Sequence, residues 1–201
     1  MFIDLTQYID EKTVVYPKTP SVKIKLISSI TQDGFNEQQI TLTTHTSTHI
    51  DAPFHMRSDA KPLSAYSIDH FIGDAVVINV IGQQKIQADL TAVKKDDIVF
   101  FNTGHQVNLH NPDYFSKYPV LSTQTAEELI KKQVRIVGID SFTVDSSPYP
   151  VHHLFFQHDI CIVEGLVHLD QITQHRFRCF IIPLKLRNND GAPCRVIAEI
   201  P

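Results

Sequence analysis

The stretch His45-Thr46-Ser47-Thr48-His49-Ile50-Asp51-Ala52-Pro53-Phe54-His55 holds four side chains that can bind a metal ion within eleven positions. Imidazole and carboxylate groups together form the ligand set that proteins use for zinc, manganese or iron. His45 and His49 have the i, i+4 spacing of a metal-binding helix. However, β-branched threonines surround them and Pro53 follows soon after, so a helix is disfavoured. The stretch is therefore predicted to be a strand that carries a metal site.

The spacing also predicts how this strand must bend. Positions 45, 49, 51 and 55 share parity, so an extended chain would project all four side chains from one face. Two imidazoles four residues apart would lie about 13 Å apart on a straight strand, near the limit for sharing one ion. We therefore expect a bulge or turn at residues 46–48 if both bind the same ion. Pro53 should end strand pairing and leave His55 in a loop beside the metal.

The remainder of the 201-residue chain predicts one sheet-dominated α/β (α+β) domain spanning residues 1–201. One segment, Thr123 to Gln133, has a helical pattern, with Thr125 and Glu128 as a capping box. Short runs rich in β-branched and apolar residues predict strands. These runs are 22–26, 39–44, 76–81, 98–101, 134–140, 160–163, 177–186 and 195–200.

Composition excludes several classes of protein. The formal charge of -4 and the sequence pI near 6.2 give no attraction to nucleic acid, and the basic residues form no stripe. The amino terminus lacks the basic and apolar regions of a secretory signal. The most apolar stretch, residues 75–81, is too short to span a bilayer. Three widely spaced cysteines suggest no disulfide framework. We expect a cytoplasmic protein with no nucleic-acid or membrane partner.

The histidine-rich stretch resembles the signature of the cyclase-type metal-dependent hydrolases, a family that includes bacterial kynurenine formamidase and isatin hydrolase. The family pattern is His-x-Gly-Thr-His-x-Asp-x-Pro-x-His, and six of its seven fixed positions match here. The exception is Ser47, where the family has glycine. Three other segments resemble the family. Tyr16-Pro17-Lys18-Thr19 stands where formamidases carry Trp-Pro-Gly-Asp. Residues 151–153 followed by 162–166 are similar to the family's second metal-binding stretch, and residues 191–199 to its last strand.

The resemblance implies a swivelling β/β/α fold, a homodimer or homotetramer, and one or two zinc ions, with manganese as the alternative. It also implies that a first ion is bound by His45, His49 and Asp51. A second ion would be shared by Asp51, His152 and Glu164, while His55 would move protons and Tyr16 would contact the substrate. Without the resemblance, His152 could equally be a loop histidine and Glu164 a surface acid at a strand end.

These features predict a hydrolase acting on a small carbonyl substrate. A bound metal ion lowers the pKa of its water to near neutrality and polarises a scissile carbonyl, so its hydroxide can attack. The favoured substrate is a small amide or cyclic amide, as for an arylformamidase. Tyr16, Phe54 and Phe71 are candidates for an aromatic pocket wall, although each could equally be core, and core is the better reading for Phe71. Two alternatives stay open: a hydrolase or cyclase acting on a lactone or polyketide-type ring, and a non-catalytic metal-binding protein.

Overall fold

The computed structural model, which describes residues 1–174 and 176–200, is organised around a mixed sheet of eight strands. Two short pairs of strands, three α-helices and five 3-10 helices complete the regular structure of this described part. The eight strands are β1 (Phe2–Asp4), β4 (His49–Asp51), β5 (Ile72–Asn79), β7 (Ile98–Asn102), β9 (Ile136–Ile139), β10 (Cys161–Glu164), β11 (Phe177–Pro183) and β12 (Gly191–Glu199). The pairs are β2 (Lys23–Ser28) with β3 (Glu37–Thr41), and β6 (Lys85–Ile86) with β8 (Val120–Leu121). The helices are α1 (Ile30–Asp33), α2 (Thr123–Lys131) and α3 (Pro150–Gln157).

The short strand β4 closes the sheet into a seven-stranded barrel. The strand order is β12-β11-β5-β7-β9-β10-β4, and β4 pairs antiparallel with both β10 and β12. Strands β5, β7, β9 and β10 run parallel, while β1 extends the sheet beside the far end of β12. Closure leaves few free strand edges. It also places His49 opposite both Glu164 and Pro193.

The central strands are buried on both faces, which explains their continuous apolar runs. Along β7, Ile98 and Phe100 belong to one hydrophobic cluster, whereas Val99 and Phe101 belong to the other. The second cluster also contains the apolar faces of α2 and α3, so these helices cover one side of the sheet. Every residue of β10, including Glu164, is buried. Any functional group carried by that strand is therefore held rigidly.

The predicted fold class is confirmed: the chain is a sheet-dominated mixed α/β domain. The predicted helix is also present, but the capping-box prediction is wrong. Ser122 is the N-cap, and its side chain accepts a hydrogen bond from the Thr125 backbone at 3.1 Å. Thr125 is buried in the first turn, where its hydroxyl donates to the Ile86 carbonyl at 3.1 Å. Helix α3 was not predicted, because its apolar sequence lacks a clear amphipathic period.

The hairpin formed by β2 and β3 projects from the barrel. The strand predicted over residues 22–26 is present. The prediction that one face of it is buried is wrong at Leu26. The Leu26 side chain is 53% exposed, and every residue of β3 is exposed. Homodimer or homotetramer formation stays a prediction. Across the described residues, no helix combines the length and apolar content needed to cross a membrane.

Candidate metal centre and its pocket

A turn immediately before β4 brings His45 close to His49, as the spacing argument required. Ser47 has a φ of 61°, in the left-handed region that favours glycine. This is the position at which the family pattern has glycine, and serine adopts the same conformation here. The Ser47 carbonyl accepts a hydrogen bond from Nδ1 of His49 at 2.9 Å. Thr48 secures the turn from the other side, because its hydroxyl donates to the Gly165 carbonyl at 2.6 Å.

The structure brings all five predicted metal ligands together. Nδ1 of His45 lies 2.6 Å from Oδ1 of Asp51, and Nε2 of His49 lies 3.3 Å from the same oxygen. Glu164 Oε2 is 3.6 Å from Nε2 of His49, and its Oε1 is 3.4 Å from Nε2 of His152. The described residues contain three overlapping groups of possible donors: His45, His49 and Asp51; Asp51, His152 and Glu164; and His45, His55 and Asp190. Asp51 is common to the first two groups.

The second ring nitrogen of each of the three histidines is held by a separate acceptor. Besides the contact between His49 and the Ser47 carbonyl, Nδ1 of His152 lies 2.6 Å from Asp145 Oδ1. Nε2 of His45 lies 2.7 Å from Asp190 Oδ2. Metal-binding histidines are characteristically oriented in this way, with one nitrogen toward the ion and the other toward an acceptor.

The charge balance of the cluster fits a bound cation. Although burial would raise the pKa of Asp51, which is 1% exposed, His49 and other neighbouring histidines hold that pKa well below its usual value. Burial likewise opposes a charge on His152, yet Asp145 and Glu164 raise the pKa of its ring to about 10. Buried carboxylates that keep their charge need a cation beside them. Because its donors are oxygen and nitrogen without thiolate, the cluster fits zinc or manganese.

His55 lies next to this cluster but outside both groups of donors that contain Asp51. It ends a short 3-10 helix at Pro53–His55, so Pro53 stops the strand as predicted. The His55 ring lies 4.0 Å from the His45 ring, centroid to centroid. Burial, assisted by the nearby positive charges of His45 and His152, lowers the pKa of His55. A neutral imidazole in this position can accept a proton.

The donors form the floor of a cavity of about 410 Å³. This volume is in the range of small-molecule sites. Its upper wall is aromatic, and Phe142 is central, with ring centroids 4.6 Å from Tyr118 and 4.7 Å from Phe115. Tyr16 lies in this wall, 5.8 Å from Phe142. The six aromatic residues that line the cavity are Tyr16, Tyr114, Phe115, Tyr118, Phe142 and Tyr149.

Comparison with known proteins agrees with this site. The Cyclase family model matches residues 3–146. The chain is 33% identical to the kynurenine formamidase of Geobacillus thermodenitrificans, over 96% of this chain and 95% of the relative. It is 31% identical to that of Bacillus cytotoxicus, over 98% and 96%. The chain belongs to the cyclase family.

Solved structures show the same fold. A structure described as a potential metal-dependent hydrolase with cyclase activity matches with a TM-score of 0.82 and 27% identity, covering 100% of this chain and 99% of that one. Isatin hydrolase A from Labrenzia aggregata matches with a TM-score of 0.89, over 98% and 93% of the two chains. At 22% identity, the latter shows the fold alone.

Within this member of the cyclase family, the three aromatic candidates have different positions. Phe71 is buried in the core, 4% exposed, which confirms the core reading favoured for it, and Phe54 lies outside the cavity lining. His152 lies on α3 and Glu164 is buried, so neither is the loop or surface residue that the sequence left as an alternative. Of the predicted aromatic residues, only Tyr16 reaches the cavity.

Sequence reasoning did not identify Asp145 and Asp190. Asp145 accepts hydrogen bonds from the backbone N–H groups of Val151 at 2.6 Å and His152 at 3.2 Å, at the start of α3. Asp145 lies four residues before the N-cap Tyr149, so it does not have the spacing of a capping residue and local sequence did not indicate it. Asp190 lies in an Asn-Asn-Asp-Gly turn, and local sequence gives no indication that it reaches the metal centre.

Proposed function

We propose that this protein is a metal-dependent hydrolase of a small amide or cyclic amide. The observation that carries the proposal is the convergence of three imidazoles and two buried carboxylates beside an additional histidine at the floor of an aromatic cavity. The kynurenine formamidase relatives confirm the class of enzyme, a hydrolase acting on carbon–nitrogen bonds other than peptide bonds. The substrate, the metal and the residue roles belong to the proposal.

His45, His49 and Asp51 would hold a first metal ion, and Asp51, His152 and Glu164 a second. The donor set supports zinc, with manganese as the alternative. When bound, such an ion makes water acidic enough to be a nucleophile near neutral pH and polarises a carbonyl. The buried carboxylates and the three outer acceptors keep the donors in place without rearrangement.

His55 would handle the protons of the reaction. Its ring is half-buried, lies against His45 and stays neutral near pH 7 because its pKa is lowered. It can therefore take a proton from the attacking water and deliver it to the leaving nitrogen. A positioned acid–base group of this kind contributes about 10²- to 10⁴-fold to a rate.

The aromatic wall supports an aryl amide or a small lactam as the substrate class. Planar rings pack edge-to-face or offset against aromatic side chains, with centroids about 4.5–7 Å apart. Tyr16 would contact the substrate at the open side of the cavity, where it is 53% exposed.

The test combines metal removal with a His55→Ala variant. Protein purified without chelators should contain zinc or manganese, lose activity toward N-formyl aryl amides when stripped, and regain it when the ion returns. His55→Ala should keep its metal content by elemental analysis while turnover falls about 10²- to 10⁴-fold. The matched control is His153→Ala, which removes an exposed histidine from α3 and should change neither property.

Four other results would contradict part or all of the proposal. Loss of metal from His55→Ala would make His55 a ligand. Full metal content with turnover only of lactones or polyketide-type rings would favour the ring-acting alternative. Metal binding with no turnover of amide, lactam or lactone would leave a metal-binding protein. Failure to bind any ion after reconstitution would exclude the proposed site.

A further inference from the structure

Asp190 reaches the metal centre from a turn more than 130 residues away from His45 in the chain. The turn is fixed by its backbone. The Asp190 carbonyl accepts a hydrogen bond from Ala52 N–H at 2.9 Å, and the Asn189 carbonyl accepts one from Leu63 N–H at 3.0 Å. Both donors follow β4, so the turn is tied to the segment that carries the ligands. The side chain of Asp190 is thereby held over the outer edge of His45.

The orientation of His45 differs from that of the other two histidines in the cluster. His49 and His152 turn Nε2 toward the carboxylates of the cluster and have Nδ1 held by an outer acceptor. His45 is reversed: Nδ1 lies 2.6 Å from Asp51 Oδ1, and Nε2 lies 2.7 Å from Asp190 Oδ2. Both ring nitrogens of His45 thus face a carboxylate. Because a neutral imidazole has one N–H, placing that proton on Nε2, toward Asp190, leaves the Nδ1 lone pair for an ion beside Asp51.

The residue after Asp190 gives a second, independent observation. Gly191 stands opposite Asp51 across the pairing of β12 with β4. A Cβ atom at position 191 would lie 2.8 Å from the Ile50 carbonyl oxygen and 3.0 Å from Cε1 of His45. The glycine therefore leaves the space that the His45 ring occupies. Asp190 and Gly191 therefore border the His45 ring on the same side, one by a hydrogen bond and the other by leaving room.

The same carboxylate oxygen also faces the proposed proton-transfer residue. Oδ2 of Asp190 lies 3.6 Å from Nδ1 of His55, and the rings of His55 and His45 are tilted by 41° at 4.0 Å. One acceptor is thus shared between a proposed ligand and the proposed proton carrier. A change at Asp190 would disturb both rings at once.

We propose that Asp190 is a positioning residue that accepts the Nε2 proton of His45, so that Nδ1 faces the metal ion together with Asp51 and His49. This role rests on the proposed metal site and is independent of the substrate. Outer acceptors of this kind typically change metal affinity or activity by about 10- to 100-fold. Asp190 itself is not a ligand in this assignment, so it changes how tightly an ion binds and not how many ions bind.

The experiment measures zinc affinity by competition with a chromogenic chelator, using stripped full-length protein. Asp190→Ala should weaken zinc binding about 10- to 100-fold, with the same number of ions bound at saturation. Asp190→Asn should have a smaller effect, because its amide carbonyl still accepts a hydrogen bond. In the cobalt-substituted protein, the absorption bands should shift for Asp190→Ala. Asp113→Asn, which breaks an exposed ion pair with Lys117, is the control.

Asp190→Asn provides a second route to the same result if Asp190→Ala folds poorly, because it keeps the shape of the side chain while removing its charge. It should weaken zinc binding in the same direction, by less than Asp190→Ala. Unchanged zinc affinity in Asp190→Ala would overturn the positioning role. One ion fewer at saturation would overturn it in a different way, because Asp190 would then be a ligand. If the parent protein bound no zinc or manganese, the proposed function would fail together with this role, a result seen before any variant is made.

Discussion

The floor and the upper wall of the cavity are built in opposite ways. The floor is made by donors on barrel strands, on α3 and, for His45, on the turn before β4, and four of the predicted site residues come from eleven consecutive positions. The upper wall is made by six aromatic residues, all from connecting segments between residues 16 and 149. Asp51 and Glu164 on the floor are buried, whereas Tyr16 and Tyr149 in the wall are exposed.

This difference separates chemistry from selectivity. A barrel strand cannot shift without breaking ladder hydrogen bonds on both sides, so the donors keep the fixed geometry that a metal ion requires. Connecting segments tolerate substitution and insertion much better, so the wall can change while the floor is retained. Substitutions on the floor should therefore remove metal and activity together, while substitutions in the wall should alter substrate binding alone.

The largest effect should come from Asp51→Asn, because Asp51 belongs to two of the three donor groups. Removing one partner from a buried charged cluster costs about 3–5 kcal/mol, which corresponds to between about 10² and 10⁴ in metal affinity. Competition with a chelator measures the affinity, and turnover should fall with it. Asp74→Asn, an exposed position on the barrel strand β5, is the control. Unchanged metal affinity would contradict the proposed role of the floor.

An intermediate effect is expected for Phe142→Ala, which removes the central ring of the wall. Its contacts with Tyr118 and Phe115 would be lost, at about 0.5–1.5 kcal/mol for each aromatic pair. KM should rise about tenfold for an aryl amide, with little change in kcat and none in metal content. The KM of Phe142→Leu should lie between those of the parent protein and Phe142→Ala. Phe2→Ala, at an exposed site, should leave KM unchanged. A loss of metal would show that wall and floor are coupled.

The smallest effect should come from Tyr16→Phe, which removes only a hydroxyl from the exposed side of the wall. Because Tyr16 is largely exposed, the loss should lie at the low end of the 0.5–1.5 kcal/mol typical of a hydrogen bond, about a two- to threefold rise in KM. Steady-state kinetics measures it, with Tyr8→Phe as the exposed control. A large fall in kcat would instead place the hydroxyl in the chemical step.

Much of the metal centre could be predicted because its geometry is local. The parity of positions 45, 49, 51 and 55 and the limited reach of two imidazoles required a turn at 46–48, and the structure has one with Ser47 at positive φ. Pro53 ended the strand for a backbone reason that applies in any fold. The sequence did not predict helix α3 or the Ser122 N-cap, because the residues of those two segments are compatible with more than one local structure.

By itself, the sequence determined the family, the sheet-dominated fold class and the ligand-bearing turn, since these depend on residue types and spacings within about ten positions. Only the tertiary structure decided that β4 closes the barrel, placing His49 opposite Glu164 and Gly191 opposite Asp51. It also decided that Asp145 and Asp190 hold two of the imidazoles, and which aromatic rings reach the cavity. Backbone dihedral preferences fix short-range geometry, whereas contacts across a hundred residues depend on strand register and closure, which no local pattern encodes.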